Sequence, residues 1–112
     1  MATIDDHGGW PALLTHLLDR NHLTPEQAHV VMATILAGEA TPAQIVGFLV
    51  ALRAKGESAD ELSGLLEAAL EYAAIVPLSE DQRAAAIDIV GTGGDRSHSV
   101  NVSTMSAIVA AG

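Results

Sequence analysis

The residues best suited to chemistry stand together in DIVGTGGDRSHSVNVST, Asp88 to Thr104. Ala86-Ile87-Asp88-Ile89-Val90 reads as a short β-strand running into Gly91, Gly93 and Gly94, with Ser103 or Thr104 capping a small-residue helix over Met105 to Ala111. Strand, glycine loop and helix N-terminus together bind anions, because backbone N–H groups converge there and the helix dipole favours negative charge. Glycines lack a Cβ and let a ligand approach the main chain. Asn101, Ser103 and Thr104 add an amide and two hydroxyls. The loop lacks the Lys-Ser/Thr ending of a Walker sequence and the GxGxxG spacing of a dinucleotide site, so neither an NTPase nor a Rossmann cofactor follows. Spacing alone leaves two readings open, a phosphate-binding loop and a structural turn.

Four helices precede this segment. Trp10, Leu13, Leu14, Leu17 and Leu18 recur at helical spacing behind Pro11, predicting a helix over about residues 10–20. Thr24-Pro25-Glu26-Gln27, Thr41-Pro42-Ala43-Gln44 and Ser58-Ala59-Asp60-Glu61 each read as a capping box opening a further helix. Gly38 and Gly56 suit left-handed positions ending the second and third. Ala28, Val31, Met32, Ile35 and Leu36 form one apolar stripe, and Leu62, Leu65, Leu66, Ala69 and Leu70 another. Ile45, Val46, Phe48, Leu49, Val50 and Leu52 leave the third helix little polar face, so it is expected to be central or covered by a second chain. After Pro77 the polar SEDQR reads as a connection. A lone strand cannot satisfy its backbone, so residues 86–90 are expected to pair with another chain or belong to an incomplete α/β domain.

Composition narrows the partners. The 112 residues carry 14 Asp and Glu against 5 Lys and Arg, a net charge of −9 that disfavours nucleic acid and anionic membranes. There is no cysteine, so disulfides and thiolate chemistry are excluded. MATIDDHGG has neither a basic nor an apolar leader segment, and a cytoplasmic setting is expected. His7, His16, His22, His29 and His98 form no metal-ligand pattern, and Asp60-Glu61 suits a helix first turn.

GTGGD followed by NVST, behind a DIV strand and a capped helical bundle, closely resembles the anthranilate phosphoribosyltransferase family of tryptophan biosynthesis. The resemblance covers essentially the whole chain and is sharpest from Ile87 to Gly112. It implies transfer of a phosphoribosyl group from 5-phosphoribosyl 1-diphosphate (PRPP) to the anthranilate amine, with magnesium and release of pyrophosphate. It implies a small helical domain that also forms the homodimer contact, here residues 1–76, and a large α/β domain opening at 77–112. The resulting fold class is mainly α: a helical bundle followed by the first strand, glycine loop and helix of an incomplete α/β domain. By motif match Gly91, Gly94, Asp95, Ser99, Asn101, Val102, Ser103 and Thr104 fall on the PRPP site, Gly91 also adjoins anthranilate, and Ser103 is the magnesium-linked serine. Asp95 repels a bare phosphate, so its role is to shape the loop through backbone N–H bonds or to engage a hydroxyl or metal-bound water.

Arg96 stands where that family usually has another glycine; it either reaches a phosphate or is a solvated loop residue. The family's lysine-histidine-glycine-asparagine-arginine stretch and its aspartate-glutamate magnesium pair are not among these 112 residues. The chain is therefore expected to be an N-terminal portion, inactive alone. Two rival readings are a pyrimidine nucleoside phosphorylase fragment, which fits GTGGD and NVST less well, and a non-catalytic helical dimerisation module.

Overall fold

The computed structural model describes residues 2–91 and 101–112. The chain divides into two compact units, Met1–Ile75 and Val76–Gly112. The first holds a 3-10 turn at Asp5–His7 and four helices: α1 (Gly9–Leu18), α2 (Pro25–Leu36), α3 (Pro42–Lys55) and α4 (Ala59–Glu71). The second holds α5 (Glu80–Ala85) and α6 (Val102–Ala111).

Local sequence sets the helix starts. Thr24, Thr41 and Ser58 close reciprocal capping boxes with Gln27, Gln44 and Glu61, each satisfying two backbone donors. Ser79 closes a fourth with Gln82, turning the polar stretch read as a connection into α5. At the end of α2, Gly38 has φ of 77° and completes a Schellman motif, its N–H donating to Ile35 O while the Glu39 N–H donates to Thr34 O. Gly56 also has positive φ, but its ψ of 132° lies outside the left-handed helical region expected for it. The end of α1 repeats the Schellman pattern with Arg20 at φ 63°, where a side chain is strained.

Trp10, Leu13 and Leu17 of α1 pack with Phe48, Ala51 and Leu52 of α3 and with Leu23, Ala28 and Val31 to form the core. α1 lies against α3 and α2 against α4. On α3, Phe48, Ala51 and Leu52 are buried while Val46, Leu49 and Val50 are more than half exposed, so within this unit the helix is not central and its outer face is the one a second chain would cover. The stripe read on α4 is corrected. Leu62, Leu66 and Leu70 face outward, while Glu61, Gly64 and Ala68 are buried and Leu65 packs against the core. The helix presents its small residues because α2 comes so close that a Cβ on Gly64 would overlap the Pro25 carbonyl and lie 3.1 Å from the Ala28 Cβ.

Among the described residues Glu61 is the one charged residue that is fully buried, at 0% exposure. Its Oε1 accepts from the Leu23 N–H at 2.9 Å, and its Oε2 accepts from the Ser58 N–H and the Lys55 ammonium, both at 2.8 Å. Lys55, 2% exposed, donates its other two protons to Gly56 O and His22 Nδ1, each at 2.7 Å. With Nδ1 accepting from Lys55, the 3.3 Å approach of His22 Nδ1 to Glu61 Oε2 is a contact without a proton between them. The three ammonium protons thus meet three acceptors, and the α1–α2 turn is tied to the α3–α4 turn.

Burial pushes the Glu61 carboxyl up, but the bonds from Lys55, Leu23 and Ser58 outweigh it and bring its pKa from 4.5 down to about 2. A depressed carboxylate stabilises the fold above its unfolded pKa and loses that contribution as pH falls toward the folded one. The midpoint of thermal unfolding is therefore expected to fall as pH drops from about 5 to about 2. Glu61→Gln should flatten that dependence while costing about 3–5 kcal/mol at neutral pH, since it leaves Lys55 buried without its counter-charge. Gly64→Ala should lower the urea midpoint by the equivalent of about 3 kcal/mol. Gly47→Ala, whose Cβ would meet only Leu14 methyls at 3.7 and 3.8 Å, should be neutral or stabilising in the same measurement.

Candidate functional site

Of the residues matched to the anion site, Gly91, Asn101, Val102, Ser103 and Thr104 are described, all in the second unit; Gly94, Asp95 and Ser99, with Arg96 and His98, lie outside the described residues. The segment leading in departs from expectation. Residues 86–90 form no ladder, and no strand occurs among the described residues. Ile87, Ile89 and Val90 are exposed, and the Val90 N–H is taken by Asp88 Oδ1 at 2.9 Å, two residues back. The reason is the one that makes a solitary strand untenable: without a neighbour to pair with, the backbone takes a local side-chain acceptor.

The helix behind the loop starts earlier than read. Asn101, not Ser103 or Thr104, is the N-cap of α6, its Oδ1 accepting from the Thr104 N–H at 3.0 Å. Capping by Asn101 places Val102, Ser103 and Thr104 in the first turn, where backbone N–H groups lack intrahelical partners and the dipole is positive. That turn carries no acidic residue to compete with an anion. Ser103 then reaches back: the Gly91 N–H donates to its Oγ at 3.0 Å, across twelve residues of sequence. A Cβ on Gly91 would sit 3.2 Å from that oxygen, so the contact favours glycine there without any unusual backbone angle. The structure thus joins the first and last parts of the motif at one point, Gly91 and Ser103. Sequence reasoning placed both residues at the site but missed the bond between them. The Asn-Val-Ser-Thr spacing, a side-chain acceptor three residues before a helix amide, was the signal for the cap.

Two clefts lie elsewhere. One of about 420 Å³ in the first unit is lined by Asp5 and Glu39 among largely apolar residues, with His29 held 3.0 Å from Glu71, a lining unsuited to a polyphosphate. The other, about 410 Å³, is an apolar hollow between Ile89 and α6 residues Met105, Ser106, Val109 and Ala110. Among the described residues no group of three or more His, Asp or Glu could hold a metal. Ser103 alone supplies one neutral oxygen. That suits a hard cation only as a minor ligand, because magnesium is normally held by carboxylates and ligand phosphates. No described helix is long and apolar enough to cross a membrane.

A helical bundle followed by a glycine loop and a capped helix defines the class. Residues 11–73 match the helical bundle domain of the glycosyl transferase family, and residues 83–112 match that family's a/b domain. The chain belongs to this family. It is 52% identical over 103 residues to the anthranilate phosphoribosyltransferase of Salinispora arenicola, covering 92% of this chain and 29% of the relative. It is 56% identical over 106 residues to that of Acidothermus cellulolyticus, covering 95% and 29%. With the Streptomyces avermitilis protein of the same name, the figures are 46% over 118 residues, 99% and 32%. The chain therefore spans less than a third of the length of the curated relatives it matches.

The cap can be tested by itself. Asn101→Ala should cost the start of α6 about 1 kcal/mol and speed exchange of the Thr104 amide roughly fivefold. Asn101→Asp, which keeps an accepting oxygen, should leave that amide protected in the same hydrogen-exchange experiment.

Proposed function

We propose that this chain is the amino-terminal part of an anthranilate phosphoribosyltransferase. In tryptophan biosynthesis such an enzyme moves the phosphoribosyl group of PRPP onto the anthranilate amine and releases pyrophosphate. The observation that carries the reading is the meeting of Gly91 and Ser103 at the N-terminus of α6. The names of relatives about half identical to this chain support it.

The reaction breaks the bond between the ribose anomeric carbon and a pyrophosphate oxygen. Positive charge builds on the sugar and negative charge on the leaving group, so stabilising the departing pyrophosphate is the main task and no protein nucleophile is required. In this reading the α6 amides and the side chains of Asn101, Ser103 and Thr104 bind and orient the phosphates. Gly91 lets PRPP and anthranilate approach the main chain, and Gly94, Asp95 and Ser99 complete the loop. Magnesium, when bound, neutralises phosphate charge as a Lewis acid. Ser103 is its one ligand assigned in this chain, beside the phosphates themselves. The rest of the catalytic groups belong to a part of the α/β domain not among these residues.

A homodimer formed through the helical unit, in the cytoplasm, completes the proposal. The outward Val46, Leu49 and Val50 of α3 supply apolar surface for such a contact. With PRPP, magnesium and anthranilate, the protein carrying its complete α/β domain should consume anthranilate, and the 112-residue chain should not. Phosphate-dependent nucleoside cleavage by the complete protein, without anthranilate consumption, would overturn the assignment in favour of a nucleoside phosphorylase.

A further inference from the structure

We propose that His22 is a pH-operated switch on the buried corner between α3 and α4. Neutral, it accepts a hydrogen bond from Lys55; protonated, it donates to Glu61 and displaces Lys55. The inference stands apart from the PRPP reading, because every residue in it belongs to the helical unit.

The neutral arrangement is complete. His22 Nδ1 accepts from the Lys55 ammonium at 2.7 Å, so the uncharged ring carries its proton on Nε2. The other two ammonium protons go to Glu61 Oε2 and Gly56 O. The Lys55 side chain is 2% exposed and that of Glu61 0%, whereas the His22 side chain is 60% exposed, so solvent protons reach the ring while the pair it touches is out of water. Histidine changes charge between about pH 5 and pH 8. Glu61, with its pKa at about 2, remains a carboxylate throughout that range.

Protonation forces a choice. A proton on Nδ1 removes the lone pair that Lys55 uses and sets two cations 2.7 Å apart, which repel. The new N–H has an acceptor in Glu61 Oε2, 3.3 Å away. That oxygen already takes the Ser58 N–H and Lys55, which fill its two lone pairs. One donor must leave, and charge selects Lys55, because the Ser58 N–H is neutral. Gly56 O is then the acceptor that remains to the ammonium, too little for a buried charge. Lys55 turns toward solvent, and the last turn of α3 is freed from the α1–α2 turn. The Leu23 bond to Oε1 is untouched, so α4 stays tied to that turn. Neighbouring groups do not set the switch. His16 of α1 reaches the corner at the His22 carbonyl, where its Nε2–H donates in either charge state. α2 carries Glu26 in its first turn, and among the described residues Glu61 is the one carboxylate paired with the ring.

The test is an NMR titration of the 112-residue chain from about pH 8 to about pH 5, following ring nitrogens, the Lys55 amine and backbone amides. At the upper end the His22 ring should be the Nε2–H tautomer. As it titrates, the Lys55 Nζ and Ser58 amide resonances should move with the His22 midpoint. The Gly56 N–H closes the last turn of α3 onto Leu52 O, and its protection, corrected for the intrinsic pH dependence of exchange, should fall roughly 2- to 10-fold. His22→Asn, whose amide oxygen takes the Lys55 bond without titrating, should hold all three readouts constant over the same range. An Nδ1–H tautomer at the upper end, Lys55 and Ser58 resonances indifferent to the His22 titration, or changes that persist in His22→Asn would overturn the switch.

Discussion

The buried ion pair of Lys55 and Glu61 is the constraint on which the helical unit turns. A carboxylate without exposure is tolerable only if each oxygen is occupied, and here Leu23, Ser58 and Lys55 fill them. Each partner comes from a different stretch of chain: the turn after α1, the N-cap of α4 and the last turn of α3. The pair therefore does more than cap a helix. It fixes the angle at which α4 leaves α3 and the place where α2 begins, since Leu23 immediately precedes the Thr24 capping box. Such a pair adds little net stability over an apolar replacement of equal fit, but it penalises any arrangement that separates its members.

With that corner fixed, the faces of α4 follow. Lying against the start of α2 brings Gly64 and Ala68 inward, and the close approach at Pro25 leaves no room for larger residues. Leu62, Leu66 and Leu70 are then left on the outer side, as are Val46, Leu49 and Val50 on α3. A unit with this much apolar surface is built to be covered, which accords with a chain that spans less than a third of its relatives. The second unit tells the same story: α6 is apolar along its length, yet its side chains are mostly exposed.

Features settled within a few residues were legible in the sequence. The three capping boxes and the Gly38 terminus needed only local chemistry, and the resemblance carried by GTGGD and NVST led to the family that the matches establish. Features that depend on a distant partner were not. A leucine stripe on α4 looks like a core face until the closeness of α2 selects the small residues instead. Ile87 to Val90 look like a strand because β-branched residues suit one, but a strand exists only with a neighbour, and Asp88 takes the unpaired amide. Asp60-Glu61 read as a helix first turn, correctly as far as Ser58 goes, while Lys55 and the Leu23 amide could be found only in three dimensions. At the site, the Asn101 cap was local and readable, whereas the Gly91 to Ser103 bond spans the loop and was not.

The central claim is that the start of α6 and the glycine beside it form an anion site for a phosphorylated ribose. It is tested most directly by following backbone amide resonances of the complete protein during titration with PRPP and magnesium. The account predicts that the largest shifts fall on Gly91 and on Val102, Ser103 and Thr104, with the helical unit little changed. Shifts centred instead on the acidic cleft beside His29 and Tyr72, or none at Gly91 and the first turn of α6 despite measurable binding, would contradict it.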